Sequence, residues 1–396
     1  MNYQIWGREQ IDDESLKQMD SAMSLPISVK GALMPDAHVG YGLPIGGVLA
    51  TVGAVIPYAV GVDIACRMRL SIFEVSPHVL GQQVGRYENA LLENTMFGAG
   101  AELSQYNRAE HDVLDESIWS ESRILASLKD KAYKQLGTSG GGNHFVEWGE
   151  FTLNQDDLGL KAGTYLALLS HSGSRGVGYA IANHFSKVAQ NYHQDLPKHL
   201  QHLSWLDLDW HEGQEYWNAM NLAGRFASAC HQIIHERVAK SAGLKPSVVV
   251  ENHHNFAWKE TITDENGEQQ EVIVHRKGAT PAGEGVLGVI PGSMADPGFV
   301  VRGKGNAAAI QSASHGAGRM MSRSTAKQSI TQNAQKQYLA EHNVKLFGGD
   351  LDEAPQAYKD IHAVMDAQSD LVEIVGKFQP RVVRMDGRIG KKSKKR

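Results

Sequence analysis

Cysteine is nearly missing from this sequence: Cys66 and Cys230 are the two in 396 residues. Two thiols cannot form a disulfide framework, which excludes a disulfide-stapled secreted scaffold and fits a reducing compartment. No apolar run is long enough to span a bilayer, and the opening MNYQIWGREQIDDES has no apolar signal core. A soluble cytoplasmic protein without a membrane partner is therefore expected. An excess of one charge is also lacking. Against 39 Lys and Arg stand 44 Asp and Glu, a net charge of −5, so composition alone does not mark a nucleic-acid binder. A local basic groove can still sit inside such a balance. The pattern GxxxxGK[ST] is absent, which excludes a P-loop NTPase by motif. No internal repeat and no Pro- or Ser-rich linker divides the chain.

What is present is a core and many polar glycine turns. Hydrophobic residues make up 42% and charged residues 21%, enough for a substantial core. The 41 glycines and 18 histidines often stand together, as where loops gather functional groups. GGVLATVGAVIPYAVGVDIA reads as short strands broken by glycine, and TYLALLS as a strand that turns at His171–Gly178 into a helix. Helical spacing covers 79–97, 109–135 and, as one long helix, 212–241. SVVVENHHNF is a buried strand entering a polar loop, and 270–303 alternates β-branched runs with Gly and Pro. Helices are expected near 307–333 and 357–377, then a last strand at RVVRM. The candidate motifs are scattered from residue 36 to residue 319, which favours one α/β domain over 1–385. Residues 386–396 form a basic tail ending KKSKKR, which reads as a solvated end or as a phosphate contact.

Ligand-type side chains recur where an apolar strand meets a polar loop. Asp63 and Cys66 end the first such strand. Asn143 and His144 follow GTSGGG, His171 follows YLALLS, and His253, His254 and Asn255 follow SVVVE. Thiolate, imidazole and carboxylate are the donors a divalent transition metal takes. A lone His or Cys is more often structural, but strand ends that converge on one sheet edge would bring these groups together. A thiolate can bridge two cations, and a metal pair about 3.5–4 Å apart suits phosphoryl transfer. Cys230, His231 and His235 on the long helix read as core residues.

In QSASHGAGRMMSR, His315 stands before a glycine turn with arginines behind it. Such an imidazole can attack phosphorus while arginine steadies the developing charge; the alternative is a histidine at a helix start with Ser314 as its cap. Arg276, Lys277, Arg302 and Lys304 lie among glycines that let backbone N–H groups approach phosphate. Tyr358 in APQAYKD can stack on a base or simply face the core.

The segments MPDAHVGYGLPIGG, VGVDIAC, LGTSGGGNHFVE, LSHSGSRGVG, HHNF, RKGA, IPGSM and SHGAGRMMSR occur in this order. Together they resemble the signature segments of the RtcB family of RNA ligases over roughly residues 30–385. The resemblance implies an α/β fold of stacked sheets around a deep metal-containing cleft flanked by helices. It implies a GTP- and Mn²⁺-dependent ligase that joins RNA 2′,3′-cyclic phosphate or 3′-phosphate ends to 5′-hydroxyl ends, in RNA repair or tRNA splicing. By resemblance, Asp63, Cys66, His144, His171 and His254 bind two Mn²⁺ ions with Cys66 shared, His254 being the member of the HH pair next to Asn. His315 would attack the α-phosphate of GTP and carry GMP. Asn143 would touch the nucleotide phosphate, Glu147, Ser293 and Tyr358 would hold the nucleotide, and Arg175 would hold RNA phosphate. Need for an activating protein partner is left open by the resemblance.

The chemistry accounts for these residue types. A 3′-phosphate lacks a good leaving group, and joining it to GMP provides one, while two cations neutralise the crowded phosphates. Two other readings compete. The same metals could serve a phosphoesterase acting on cyclic or terminal phosphates, or the chain could bind RNA ends without catalysis. Some positions depart from the family pattern. Ala65 and Arg67 stand where glycine is common, Gly298 where a serine is usual, and Asp386 where a nucleotide-contacting lysine is expected. A related enzyme with altered nucleotide use is therefore a further alternative.

Overall fold

The fold, a computed structural model, describes residues 3–263 and 266–389. Its strands, among the described residues, assemble mainly into an eight-stranded and a five-stranded sheet. In the larger sheet the order is 287–290, 298–303, 372–385, 145–153, 163–172, 67–73 and 248–253, and 345–347 pairs with 372–385. The smaller sheet runs 4–5, 28–38, 45–51, 269–277 and 255–263. The chain leaves the larger sheet at His253 and enters the smaller one at Asn255, so His254 sits at the crossing.

The strands 145–153, 163–172, 67–73 and 248–253 are successive antiparallel neighbours. Antiparallel order places the start of one strand beside the end of the next. Residues 145, 172, 67 and 253 therefore share one edge, in the register Phe145↔His171, Met68↔His171 and Arg67↔His253. Every ligand-type cluster read from the sequence falls on that edge or in the loop beside it.

Both faces of this sheet are buried, which is why TYLALLS is a nearly continuous apolar run. Leu166, Leu168, Val146 and Trp148 pack on one face against Ile234 and Val238 of the helix His211–Ser241. Ala167, Leu169, Met68, Leu70 and Phe151 pack on the other with Val289, Val300 and Phe378. The smaller sheet places Ala32, Met34, Val48 and Val274 against Ile290, Phe299 and Val301, which joins the two sheets as stacked layers. Cys230 is fully buried in the helical core. His231 and His235 face the sheet from the long helix: Ser170 Oγ lies 2.6 Å from His231 Nδ1 and 2.8 Å from His235 Nε2. They are polar pins between helix and sheet, as expected of core residues, and neither belongs to a group of three or more donors among the described residues.

The expectations that differ concern local elements. The helices expected near 307–333 are only partly found: Ala307–Ala309 is a single 3₁₀ turn, Ser312–Ser314 is a strand pairing with Ala279–Pro281, and the helices are Arg323–Ser329 and Gln332–Glu341. The helix expected over 357–377 is confined to Ile361–Asp366, and Val372–Met385 is strand. Cross-strand partners on both sides override the local helical spacing there. The strand at TYLALLS runs on to Ser172, so the turn shrinks to Gly173–Ser174 before the helix at Arg175. Of the basic tail, residues 390–396 lie outside the described residues.

A buried histidine ties the smaller sheet to the helical layer. His275 is fully buried; its Nε2 accepts from the Ile56 N–H at 2.9 Å, and its Nδ1 faces the Leu49 carbonyl at 3.2 Å. That pattern needs the neutral ring, and burial brings its pKa down to about 4 against the opposing pull of the backbone partners. The unfolded ring titrates near 6.5, so between these values the unfolded state holds the extra proton and stability falls as pH falls. Urea unfolding followed from about pH 7 to about pH 4.5 should show this loss, at most about 1.4 kcal/mol per pH unit for one proton. The slope should be shallower in His275→Gln, and an identical slope in the two proteins would remove His275 as the source.

Candidate metal centre and its cleft

A cleft of about 990 Å³ opens over the shared strand edge. Asp63, Cys66, Asn143, His144, His171, His254, Ser293, His315 and Tyr358 all line it. The sulfur of Cys66 lies 3.1 Å from His171 Nε2 and 3.4 Å from His144 Nε2. His171 Nε2 is 3.3 Å from His254 Nε2, and Asp63 Oδ2 is 3.0 Å from His144 Nε2. Two donor groups result, Cys66–His171–His254 and Asp63–Cys66–His144, each with its atoms within 4.8 Å of one another. Cys66 belongs to both.

The chemistry of these donors fits cations. His171 Nδ1 faces the Asn143 carbonyl at 3.1 Å, an acceptor, so the proton belongs on Nδ1 and the Nε2 lone pair points at Cys66 and His254. Burial, with the His144 charge, takes the His171 pKa down to about 3, so this ring is neutral at ordinary pH. Burial also pushes His254 well below its usual range. Burial raises the Cys66 thiol well above its usual pKa, and Asp63 adds to that. Burial opposes ionisation of Asp63 too, but the His144 hydrogen bond and charge outweigh it and hold the carboxyl low. Crowded lone pairs with a protonated thiol between them are a poor arrangement until a cation shares them.

Close approach is a matter of missing side chains. A Cβ on Gly140 would lie 1.9 Å from His144 Nδ1, and one on Gly173 2.1 Å from Asp63 Oδ1. Ala65 has φ +55 and Arg175 φ +57, left-handed positions costing about 1–2 kcal/mol outside glycine. That geometry gives a physical reason for glycine to be common in the family at the position of Ala65.

His315 enters through the short pairing of 312–314 with 279–281. Its ring centroid is 4.8 Å from that of His254. Its Nδ1 lies 2.6 Å from Asp36 Oδ2, and its backbone N–H donates to the same oxygen at 3.2 Å. Asp36 is fully buried. A carboxylate on Nδ1 keeps the proton there and leaves Nε2 with a free lone pair. Asp36 was not picked out from the sequence; the available signal was an acid inside the apolar strand of MPDAH. Glu353 was missed as well. It lines the cleft, is bonded by Tyr358 and Arg323, and lies 3.3 Å from Arg319 Nη1. Arg319 stacks its guanidinium 5.2 Å from the Tyr358 ring centre. Tyr358 itself follows a short turn in extended backbone and does not start a helix.

Other sequence-read residues stand back from the lining. Glu147 is buried with Oε2 lacking a hydrogen-bond partner, and burial pushes its carboxyl pKa well up. Arg175 donates from Nε to Thr138 Oγ1 at 3.1 Å and from Nη2 to the Gly98 carbonyl at 2.6 Å. Arg67 points its charge away from the donors, to Glu251 Oε1 at 2.6 Å and His253 Nδ1 at 3.1 Å. Asp386 accepts from the Gly387 N–H, and its neighbour Met385 lines the cleft. Of the cations among the glycines, Lys277 lines the cleft, where burial lowers its pKa to about 7. Arg276 and Arg302 are paired with Glu260 and Asp157, away from it.

Residues 18–386 match the family described as tRNA-splicing ligase RtcB. The chain belongs to the RtcB family. RNA-splicing ligase RtcB of Escherichia coli strain K12 is 34% identical, over 92% of this chain and 92% of its own length. tRNA-splicing ligase RtcB of Nanoarchaeum equitans is 31% identical over 94% and 91%. RNA-splicing ligase RtcB of Mycobacterium tuberculosis is 30% identical over 92% and 98%. Coverage of this extent makes the whole fold, not one segment, the unit of similarity. No described helix is long and apolar enough to cross a membrane.

A cation ligated by Cys66 must displace the thiol proton. Affinity for Co²⁺ or Mn²⁺ should therefore rise with pH, about tenfold per unit for one released proton. Titration calorimetry of wild type and Cys66→Ser at several pH values checks this; a Cys66→Ser protein with unchanged affinity and no Co²⁺–thiolate absorption in the wild type would exclude the sulfur as a ligand.

Proposed function

We propose that this protein is an RNA ligase that joins 2′,3′-cyclic phosphate or 3′-phosphate ends to 5′-hydroxyl ends, using GTP. The observation that carries the reading is the His315–Asp36 pair, held at 2.6 Å beside the donor cluster. A phosphoesterase needs the cations alone. A second imidazole, with one nitrogen pinned by a buried acid and the other free, is what a covalent nucleotidyl carrier requires.

In this reading His315 Nε2 attacks the α-phosphorus of GTP; an N–P bond forms and pyrophosphate leaves. A 2′,3′-cyclic phosphate is first opened by water, which breaks the P–O2′ bond and leaves a 3′-phosphate and a 2′-hydroxyl. The RNA 3′-phosphate then takes GMP from His315, and the 5′-hydroxyl displaces GMP as the new phosphodiester forms. Asp63, Cys66, His144, His171 and His254 would hold two cations, Mn²⁺ in the family expectation, which neutralise phosphate charge and polarise the attacked phosphorus. Asp36 keeps the His315 proton on Nδ1 and stabilises the charge the ring acquires. Asn143 contacts the nucleotide phosphate and Tyr358 and Ser293 hold its base from the cleft wall, while Glu147, expected by resemblance to hold guanine, keeps an unpartnered Oε2 buried behind that wall. Arg175 serves RNA phosphate or, from its bonds to Thr138 and Gly98, orders the glycine loop that carries Asn143. Asp386 and Gly298 depart from the family pattern, so each triphosphate is compared in the test.

Incubation with Mn²⁺ and each α-labelled nucleoside triphosphate in turn tests this. Label should reach the wild-type protein, and His315→Ala should take none. Asp36→Asn should slow labelling by about 10²–10⁴-fold, because the amide cannot hold the proton on Nδ1. Phosphate release from RNA ends with no protein label from any nucleotide would favour the phosphoesterase.

A further inference from the structure

The cleft has an exposed aromatic edge that the chemistry above does not use. Tyr41 lies in the loop between the strands Ser28–His38 and Ile45–Thr51 and lines the cleft. The residue is 72% exposed, yet its backbone is tightly held. Gln18 grips Gly40 on both sides: Oε1 accepts from the Gly40 N–H at 3.0 Å, and Nε2 donates to its carbonyl at 2.6 Å. The Lys277 ammonium donates to the Tyr41 carbonyl. Gly42, at φ +72, completes the turn against the His202 carbonyl. An exposed tyrosine on a loose loop needs no explanation. A pinned loop that keeps a large ring in water at the mouth of a reactive cleft does.

The surroundings say what the ring suits. His202 meets Tyr41 at 68° with centroids 5.7 Å apart, and meets Tyr58 at 66° and 4.7 Å, so among the described residues no parallel ring covers Tyr41. Val39 and Val62, 48% and 39% exposed, continue the apolar rim on the lining of the same cleft. Lys277 links this edge to the centre, because the next residue, Gly278, packs against His315: a Cβ there would lie 3.1 Å from His315 Cε1. Tyr358, with Arg319 and Glu353, belongs to another wall, formed after His315. The triphosphate's base and a second flat group therefore have separate aromatic surfaces.

We propose that Tyr41 is a stacking platform for a nucleobase of the RNA strand whose end is being joined. This rests on the RNA-ligase reading above. An unpaired base beside a reacting phosphate has a π-face to bury, and a tyrosine face accepts any of the four bases. The pinned backbone lowers the entropy lost when the ring is covered. Tyr41 makes no contact with the reacting atoms; its part is to position the strand.

The test uses the full-length protein with Mn²⁺ and no triphosphate, so that binding is read without chemistry. A short single-stranded RNA with a 3′-phosphate carries 2-aminopurine next to that end and a dye at the other. Binding by wild type should quench the 2-aminopurine. In Tyr41→Ala the quenching should vanish and affinity fall by about 5- to 150-fold, while Tyr41→Phe and Tyr41→Trp keep both. Transfer of label from α-labelled triphosphate to His315, which needs no RNA, should be unchanged in Tyr41→Ala, showing an intact centre. RNA that binds wild type and Tyr41→Ala equally, with equal quenching, would overturn the platform and leave the ligase reading standing. Loss of self-association in Tyr41→Ala with RNA binding unaffected would overturn it in favour of a contact between copies. No RNA binding by wild type would overturn both readings together.

Discussion

One sulfur atom sets the terms for this site. Cys66 Sγ has within 3.4 Å the imidazole nitrogens of His171, at a strand end, and of His144, just before the strand Phe145–Leu153, and it is the member common to both donor groups. Antiparallel order makes this meeting possible, since neighbouring strands alternately begin and end at one edge. The crossing between sheets then adds His254, which belongs to neither strand and is free to turn inward. The cost is spread through the adjoining loops, in the left-handed Ala65 and Arg175 and the bare Gly140 and Gly173. Local strain of this kind persists where surrounding structure over-determines it.

The second constraint is the stacking of the two sheets. His315 depends on it, because its strand partner follows directly from the smaller sheet while the donors sit on the larger. Backbone bonds join the two parts: the Gly278 N–H donates to the His254 carbonyl at 2.8 Å, and His254 N–H to the Cys66 carbonyl at 3.0 Å. A path of main-chain hydrogen bonds thus runs from Cys66 to the neighbour of His315. These main-chain bonds between strand ends and their adjoining turns set the spacing between the donor cluster and His315.

Charges around the cleft are largely paired. Arg319 and Arg323 meet Glu353, and Arg67 and Arg69 share Glu251. An arginine beside the donors is tolerated at position 67 because its charge is spent on the far face of the sheet, where Glu251 and His253 receive it.

By itself the sequence determined the residue types and the local rhythm. His171 and the His253–His254 pair were legible at the ends of apolar strands, because strands are apolar only while buried and turn polar where they surface. Asp63 and Cys66, expected to end a strand, instead follow the short helix Pro57–Val60 and precede the strand Arg67–Phe73, as Asn143 and His144 precede Phe145–Leu153. The long helix was legible too, being a single element over 211–241. Tertiary structure alone decided which strand ends became neighbours, since pairing order leaves no mark in local composition. It also decided that 372–385 is strand, because ladder bonds from 298–303 and 145–153 outweigh a helical pattern. Asp36 shows the limit most plainly. Nothing near it in sequence signals a partner 279 residues away, and only the packing of one sheet on another puts that carboxylate against His315.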